Sequence, residues 1–224
     1  MIISTQRRYI FVHIPKTGGS SMALALEARA TKDDILIGDT PKARARSGRL
    51  NGVQVPGRLW KHSTLADIDG LVDLSQMFVF TLVRNPWDRM VSYYHWLRAQ
   101  RFDHPAVVRA KTLDFSGFLH HPGTGGSLQA APFASYVTDA GGVMRAGLFI
   151  RLEQLERDLV PLAAHLGFAP VLPMANQSER ARDWRPYYSD IDATTLARIC
   201  ASDITQFGYT FDPVPGLFPI STQS

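Results

Sequence analysis

The chain has 224 residues, 45% of them hydrophobic, and a formal net charge of +4 at pH 7. This length and composition suit one well-cored domain, so we predict a single domain over residues 1–224. The positive charge favours an anionic partner, which leaves open a phosphorylated cofactor, an acidic glycan, nucleic acid and a membrane surface. No apolar run approaches the roughly 18 residues of a membrane-spanning helix, and a single cysteine, Cys200, excludes an internal disulfide. The expected location is the reducing cytoplasm.

The first predicted elements are a strand, a loop and a helix within the first thirty residues. Residues 9–14 are mostly β-branched or aromatic and contain no breaker, which is typical of a strand covered on both faces. Residues 15–19 break this strand, and the strong helix formers from 20 to about 29 predict a helix. Residues 31–59 lack a clear period and are rich in glycine, proline and basic residues, so we expect mostly loop there. A short helix is expected at 65–72.

A second buried strand is followed at once by a second helix. Residues 77–83, MFVFTLV, form a continuous apolar run that stops at Arg84-Asn85-Pro86. In residues 87–97 apolar side chains recur at spacings of three and four, which predicts one buried helical face. Strands that lead directly into helices indicate an α/β fold with a central, mainly parallel sheet flanked by helices.

The second half of the chain is predicted to contain shorter elements. Residues 102–135 are typical of short helices and loops, with a flexible turn at GTGG, residues 123–126. A strand is predicted at 147–151, and leucine spacings predict a helix at 153–166. Residues 189–192 resemble a capping box, which predicts the start of a last helix.

The loop after the first strand has the composition of an anion site. Ligands of open α/β sheets bind beyond the carboxyl ends of the strands, where a helix N-terminus offers backbone N–H groups and partial positive charge. Lys16 adds a mobile charge, and Gly18 and Gly19 let the backbone wrap closely around an anion. Hydroxyl donors are available from Thr17, Ser20 and Ser21. The alternative is an ordinary strand-to-helix turn.

The loop does not match the P-loop signature of nucleoside triphosphatases, G-x-x-x-x-G-K followed by Ser or Thr. Lys16 precedes the glycines, no glycine opens the loop, and Arg84 stands where an acidic residue would end the second strand. These departures count against a nucleotide-dependent, kinase-like phosphotransferase with a degenerate loop, which is kept as the alternative function. A noncatalytic nucleic-acid-binding module rests on the sequence pI of 9.4 alone, so no nucleic-acid partner is expected. No His/Cys/Asp cluster has a metal-ligand spacing, so no metal is expected.

Two motifs resemble those of a known family. HIPKTGGSS at 13–21 resembles the 5′-phosphosulfate-binding loop of sulfotransferases that use 3′-phosphoadenosine 5′-phosphosulfate (PAPS), and RNPWDRMVSYYHW at 84–96 resembles their 3′-phosphate-binding segment. RLEQLERDLVPLAAHLGF at 151–168 is similar to a later motif, and residues 176–212 resemble the end of the carbohydrate branch, which includes Golgi and bacterial members. The resemblance implies a P-loop-like three-layer fold and covers residues 9 to about 212.

The resemblance also implies roles for individual residues. Lys16 would contact the 5′-phosphate and the oxygen that bridges to the sulfuryl group, where it would stabilise the leaving oxygen. Arg84 and Ser92 would bind the 3′-phosphate, and Arg180 and Arg182 lie in the region of the late cofactor loop. Backbone N–H groups and hydroxyls around the 5′-phosphosulfate would come from Thr17, Gly18, Gly19, Ser20 and Ser21.

An acceptor hydroxyl also needs a base. His62, in RLWKHSTLADI, is the candidate, because carbohydrate sulfotransferases with this type of loop often carry a histidine in this interval and imidazole titrates near neutral pH. Its alternative role is packing or helix capping, and His120 and His121 are the competing bases. His13 is expected to be a hydrogen-bonded core residue. We therefore predict metal-free transfer of a sulfuryl group from PAPS, with 3′-phosphoadenosine 5′-phosphate (PAP) as product, to a hydroxyl of a saccharide or glycolipid.

Overall fold

The structure is a computed structural model that describes residues 1–173 and 183–212. Within these residues the chain forms the predicted α/β fold and groups into two compact units. The first unit comprises residues 1–83 and 133–173, and the second comprises residues 84–132 and 183–212. The single domain over residues 1–224 stays a prediction.

The sheet belongs to the first unit. Its strands, β1 to β5 in chain order, are Ile2–Ser4, Tyr9–Val12, Ile35–Leu36, Phe78–Val83 and Ala146–Arg151. Their spatial order is β3-β1-β2-β4-β5. Strands β2, β4 and β5 run parallel, whereas β1 pairs antiparallel with both β2 and β3. The sheet is therefore mixed, and the sequence predicts its parallel part.

Eleven α-helices are present in the described residues. In chain order α1 to α11 they are Gly19–Glu27, Pro41–Arg46, Pro86–Arg98, Pro105–Thr112, Phe115–His120, Pro122–Gln129, Phe133–Tyr136, Leu155–Asp158, Val160–Leu166, Asp190–Ile199 and Ala201–Phe207. Short 3₁₀ helices are Ser47–Leu50, Ala66–Ile68, Leu74–Gln76, Leu152–Gln154 and Arg185–Tyr187. Across these described residues, none of the helices has the length and apolar character needed to span a membrane.

Both faces of the sheet are covered, because successive side chains of a strand point to opposite faces. Tyr9 and Phe11 of β2 pack with Met22 of α1 in one apolar cluster. Ile10, between them in sequence, packs with Val79 of β4 in a second cluster. Each of these five side chains is almost completely buried, which stabilises the fold by roughly 1.5–3 kcal/mol per large apolar side chain. Burial on both sides explains why β2 and β4 read as continuous apolar runs.

One prediction about a loop is confirmed and another is wrong. The segment 31–59 is mostly loop, as predicted, although it contains β3, α2 and a short 3₁₀ helix. Helix α2 begins because the Thr40 hydroxyl accepts the Ala43 N–H while Pro41 occupies the first turn. The GTGG stretch at 123–126 lies inside α6, which Pro122 and the capping side chain of His121 initiate. In α6 the N-terminal cap outweighs the low helix propensity of the glycines that follow, whereas α2 consists mostly of good helix formers.

The second unit begins with α3, directly after β4. Asn85 caps this helix by accepting the Trp87 N–H, and Pro86 occupies its first turn. The predicted apolar face is buried, and its members are Trp87, Met90, Val91, Tyr94 and Leu97.

The predicted capping box at 189–192 is present at the start of α10, where the Ser189 hydroxyl accepts the Asp192 N–H. The last helical region divides at Cys200 into α10 and α11. Burial raises the pKa of the Cys200 thiol to about 11, so this side chain packs as a small, unreactive apolar group.

Candidate active site

The loop between β2 and α1 has a constrained backbone. Lys16 has a φ of 67° and Gly18 a φ of 86°, both in the left-handed region. Glycine adopts this conformation easily, whereas a lysine pays roughly 1–2 kcal/mol for it. A strained residue that carries a mobile charge, at the carboxyl end of a parallel strand, is typical of a functional position. The structure thus adds backbone strain to the reasons for regarding Lys16 as functional.

Thr17 holds the loop in shape. Its side chain is completely buried, and its hydroxyl donates a hydrogen bond of 2.9 Å to the carbonyl of Ile14. A hydroxyl has one hydrogen to donate, so this bond leaves the backbone N–H as the donor that Thr17 can offer to an anion. The sequence alone did not distinguish these two donors.

The N-terminus of α1 is open to an anionic ligand. Gly18 occupies the cap position, no side chain caps the helix, and its first turn holds no acidic residue. The first N–H groups of a helix carry partial positive charge, and within the described residues neither a side-chain cap nor an acidic residue of the first turn neutralises it. Ser20 and Ser21, which are half-buried, contribute hydroxyls in the same turn. The five residues predicted to surround the 5′-phosphosulfate, Thr17 to Ser21, therefore all lie at the start of one helix.

Gly19 is required for a steric reason. A Cβ atom added to Gly19 would lie 2.1 Å from Cδ2 and 2.5 Å from Nε2 of His13. The His13 ring is buried beneath the loop, and this burial holds the pKa of His13 well below its ordinary value. His13 therefore packs as a neutral ring in the core, and only a residue without a side chain fits above it.

His62 is joined to this loop through the same histidine. Its Nδ1 lies 2.7 Å from the carbonyl oxygen of His13, and the two rings meet edge to face with centroids 4.6 Å apart. Because a carbonyl oxygen only accepts, Nδ1 carries the hydrogen and Nε2 keeps its lone pair. Among the described residues no hydrogen bond to Nε2 is found. Burial lowers the pKa of His62 to about 4, although the hydrogen bond to His13 opposes this change, so the ring is neutral at pH 7.

A cavity of about 270 Å³ adjoins the loop. Its walls include Ser20 and His13, together with the buried Glu27 and, on the facing segment, Lys61. Glu27 accepts a hydrogen bond of 2.7 Å from the Thr40 hydroxyl. Lys61 Nζ lies 2.6 Å from a carboxylate oxygen of Asp39, so the charge of Lys61 is already paired. The sequence left open whether Lys61 binds an acidic acceptor, and this ion pair accounts for its charge within the protein.

The competing histidines have structural partners in the second unit. His120 Nε2 lies 2.8 Å from Asp192, whose carboxylate also accepts a hydrogen bond from Ser116. His121 Nδ1 accepts the N–H of Gly123 as the cap of α6. His120 thus links α5 to α10, and His121 initiates α6.

Arg84 and Ser92 also belong to the second unit. Arg84 directly follows β4, and two of its guanidinium nitrogens lie 2.7 Å and 2.6 Å from the same oxygen of Asp88. Ser92 lies on α3, six residues after Pro86, and is 4% exposed. The role of Asp88 as the partner that orients Arg84 was missed in the sequence, although the spacing of four residues is the signal for such a pair. Arg180 and Arg182 lie outside the described residues.

In the part of the chain that the structure describes, no group of three or more His, Cys, Asp or Glu side chains is arranged to hold a metal ion. The groups that converge around the loop are instead a lysine, a helix N-terminus, hydroxyls and a neutral imidazole. This set can bind an anion and accept a proton from a neighbouring hydroxyl.

Comparisons with known proteins agree with this chemistry. The family model described as "Sulfotransferase family" matches residues 1–211, so the chain belongs to the sulfotransferase family and its reaction class is sulfuryl transfer. A search of curated proteins finds no match. The crystal structure of mouse sulfotransferase SULT7A1 complexed with PAP is similar in fold, with a TM-score of 0.52 and 17% identity over 90% of this chain and 85% of that chain. The P-loop-like α/β fold is thus confirmed.

Proposed function

We propose that this protein transfers the sulfuryl group of PAPS to a hydroxyl of a saccharide or glycolipid, with His62 as the base. The observation that carries this proposal is the 2.7 Å bond from His62 Nδ1 to the carbonyl of His13. This bond presents a lone pair on Nε2 beside the loop that would hold the donor. Membership of the sulfotransferase family and the PAP that the similar mouse enzyme binds support PAPS as the donor.

The loop supplies the donor site in this proposal. Lys16 contacts the 5′-phosphate and the bridging oxygen, where negative charge grows as the bond from sulfur to that oxygen breaks. Backbone N–H groups of Thr17, Gly18 and Gly19 surround the 5′-phosphosulfate together with the donors of Ser20 and Ser21. The open N-terminus of α1 and the strain at Lys16 support these assignments.

Arg84 and Ser92 are proposed to bind the 3′-phosphate. Arginine matches phosphate geometry with several N–H groups, and a guanidinium held by Asp88 loses little entropy when an anion binds. The parallel pairing of Val12 with Thr81 supports a two-phosphate ligand, because it puts the carboxyl ends of β2 and β4 at the same edge of the sheet.

The transfer step needs one proton acceptor. The acceptor oxygen attacks sulfur, the bond from sulfur to the 5′-phosphate oxygen breaks, and the hydroxyl proton moves to Nε2 of His62. A pKa of about 4 makes the free imidazole a weak base. Anions of a bound donor would raise this pKa, since nearby negative charge stabilises the protonated ring. Donor binding would therefore prepare the base for the transfer step.

The proposal also includes a saccharide or glycolipid as the acceptor and the cytoplasm as the location of the protein. The resemblance of the loop and of the later segments to the carbohydrate branch supports a saccharide or glycolipid acceptor. A reducing cytoplasm is consistent with a single, buried cysteine in the whole sequence.

Single-turnover transfer from ³⁵S-labelled PAPS tests this proposal. His62→Asn retains a side-chain N–H that can donate to the carbonyl of His13 but provides no proton acceptor, and His62→Ala removes both. We expect PAP to bind both variants with wild-type affinity, while turnover falls by about 10²–10⁴-fold in each. Wild-type turnover in His62→Asn would remove His62 as the base.

A further inference from the structure

An exposed tryptophan stands beside His62 on a rigid turn. Trp60 is 41% exposed, which is unusual for so large an apolar side chain. The turn that carries it is fastened by Ser63, whose fully buried hydroxyl accepts the Trp60 N–H at 2.9 Å and donates to the Arg58 carbonyl at 2.7 Å. The indole is thus held at the surface by a pre-organised backbone.

A cation and two aromatic rings occupy every second position of this segment, at Arg58, Trp60 and His62. The Trp60 and His62 rings meet edge to face, with centroids 4.9 Å apart and an interplanar angle of 87°. The Arg58 guanidinium lies 5.3 Å from the centre of the Trp60 ring, within cation–π distance. An aromatic surface and a cation therefore extend outward from the candidate base.

Arg58 is available to an external anion, whereas Lys61 is not. Arg58 is exposed, and among the described residues it forms no ion pair. Lys61 is already paired with Asp39 at 2.6 Å. A guanidinium stacked on an aromatic ring keeps its N–H edges free for a carboxylate or a sulfate ester. Of the two basic side chains within four residues of His62, Arg58 is therefore the one suited to bind an anionic acceptor.

The excess positive charge of the protein is concentrated in this part of the chain. Residues 31–62 hold seven lysine or arginine residues and three aspartates, a net charge of +4 that equals the net charge of all 224 residues. The remainder of the chain has 17 basic and 17 acidic residues and is neutral. Exposed members of the basic group include Lys42, Arg44 and Arg49 on α2 and the 3₁₀ turn after it. The net positive charge of the segment that ends at His62 favours an acceptor of the opposite sign.

We propose that Trp60 and Arg58 form the acceptor platform of the enzyme and select a sugar ring that bears an anionic substituent. The apolar face of the sugar packs on the exposed indole, and its carboxylate or sulfate ester pairs with Arg58. The ring then lies against the residue that contacts His62, so one of its hydroxyls reaches Nε2. This inference rests on the function proposed above and adds the charge of the acceptor and the residues that recognise it.

Matched saccharide pairs test the platform. One pair is a uronate-containing disaccharide and the same disaccharide with its carboxylate reduced to the alcohol, and a second pair is a sulfate-ester disaccharide and its desulfated form. Binding in the presence of PAP is measured by calorimetry, and transfer is measured with labelled PAPS. The two pairs distinguish a carboxylate from a sulfate ester as the source of the negative charge.

The variants are Trp60→Ala and Arg58→Gln. We expect Arg58→Gln to reduce the preference for the anionic member of a pair by about tenfold and to leave binding of the neutral member unchanged. Trp60→Ala is expected to weaken the binding of both saccharides of a pair by about tenfold, since both lose the surface on which the sugar packs. The matched control is Arg29→Gln, because Arg29 also lies 5.3 Å from an aromatic centre, that of Phe168, and is remote from this segment in sequence.

Outcomes that overturn the platform differ from those that overturn the function. Equal binding of anionic and neutral saccharides by the wild type, or unchanged saccharide binding in both variants, overturns the platform whether or not sulfate is transferred. If the wild-type protein does not bind PAP, the result contradicts the proposed donor instead. PAP affinity measured in each variant also reports whether the variant is folded.

Discussion

Substitution of Gly19 by alanine tests how the donor loop and the base are connected. The added Cβ would lie 2.1 Å from Cδ2 of His13, whereas ordinary contacts begin near 3.4 Å. The ring of His13 must therefore move by more than 1 Å, and it is buried between Phe11 and His62. This ring meets the His62 ring edge to face, so its displacement pushes the base out of position. A displacement of about 1 Å in a catalytic group costs on the order of 10²-fold in rate.

The assay is steady-state transfer from PAPS together with chemical denaturation. We expect Gly19→Ala to lower kcat by about 10²-fold and to destabilise the fold by about 1–3 kcal/mol through overpacking. Gly126→Ala is the control, because a Cβ there would contact no atom within 4 Å. The double variant Gly19→Ala/His13→Ala removes the clash while it keeps the backbone carbonyl that holds His62, so it is expected to recover part of kcat, although the cavity left by the ring costs stability. Wild-type kcat in Gly19→Ala would refute the link between loop and base.

The remaining predictions concern the loop and the two histidines. Lys16→Gly removes the left-handed strain, so it is expected to be more stable than Lys16→Ala by about 1 kcal/mol. Both variants are expected to lose about 10²–10³-fold in kcat. Equal denaturation midpoints of the two variants would contradict the strain at Lys16. Thr17→Val is expected to lose about 1–2 kcal/mol of stability and Thr17→Ser much less, as measured by urea unfolding, because only serine retains the bond to the Ile14 carbonyl. Burial lowers the pKa of both His13 and His62 in the native state. Between about pH 4 and the ordinary histidine pKa, the two histidines are therefore protonated in the unfolded chain but neutral in the native one. Thermal stability should therefore rise with pH across this window, with a smaller slope in His62→Asn; a flat profile would contradict the neutral rings.

The central part of the fold could be predicted from the sequence because its signals are local. The apolar runs of β2 and β4, the break at Pro15 and the capping residues of α3 each act within a few positions. Strand β1 could not be predicted, since three residues are too few to show a period and its stability comes from pairing with β2 and β3.

The candidate site was predictable in its residue types and unpredictable in its connections. The loop residues share one helix start, so their spacing along the chain determines their placement. The bond between His62 and the carbonyl of His13 joins positions 49 residues apart, and it arises from tertiary packing that no short pattern contains. The same packing explains why His13, expected to be a plain core residue, positions the base.

Calorimetric titration of the wild-type protein with PAP, and separately with ATP and magnesium, tests the central claim most directly. A sulfotransferase with separate sites for the 5′- and 3′-phosphates is expected to bind PAP and to gain thermal stability from it, since a ligand of the native state opposes unfolding. Binding of PAP should weaken in Arg84→Gln and in Lys16→Ala. Binding of ATP with magnesium in the absence of any binding of PAP would contradict the account and favour a phosphotransferase.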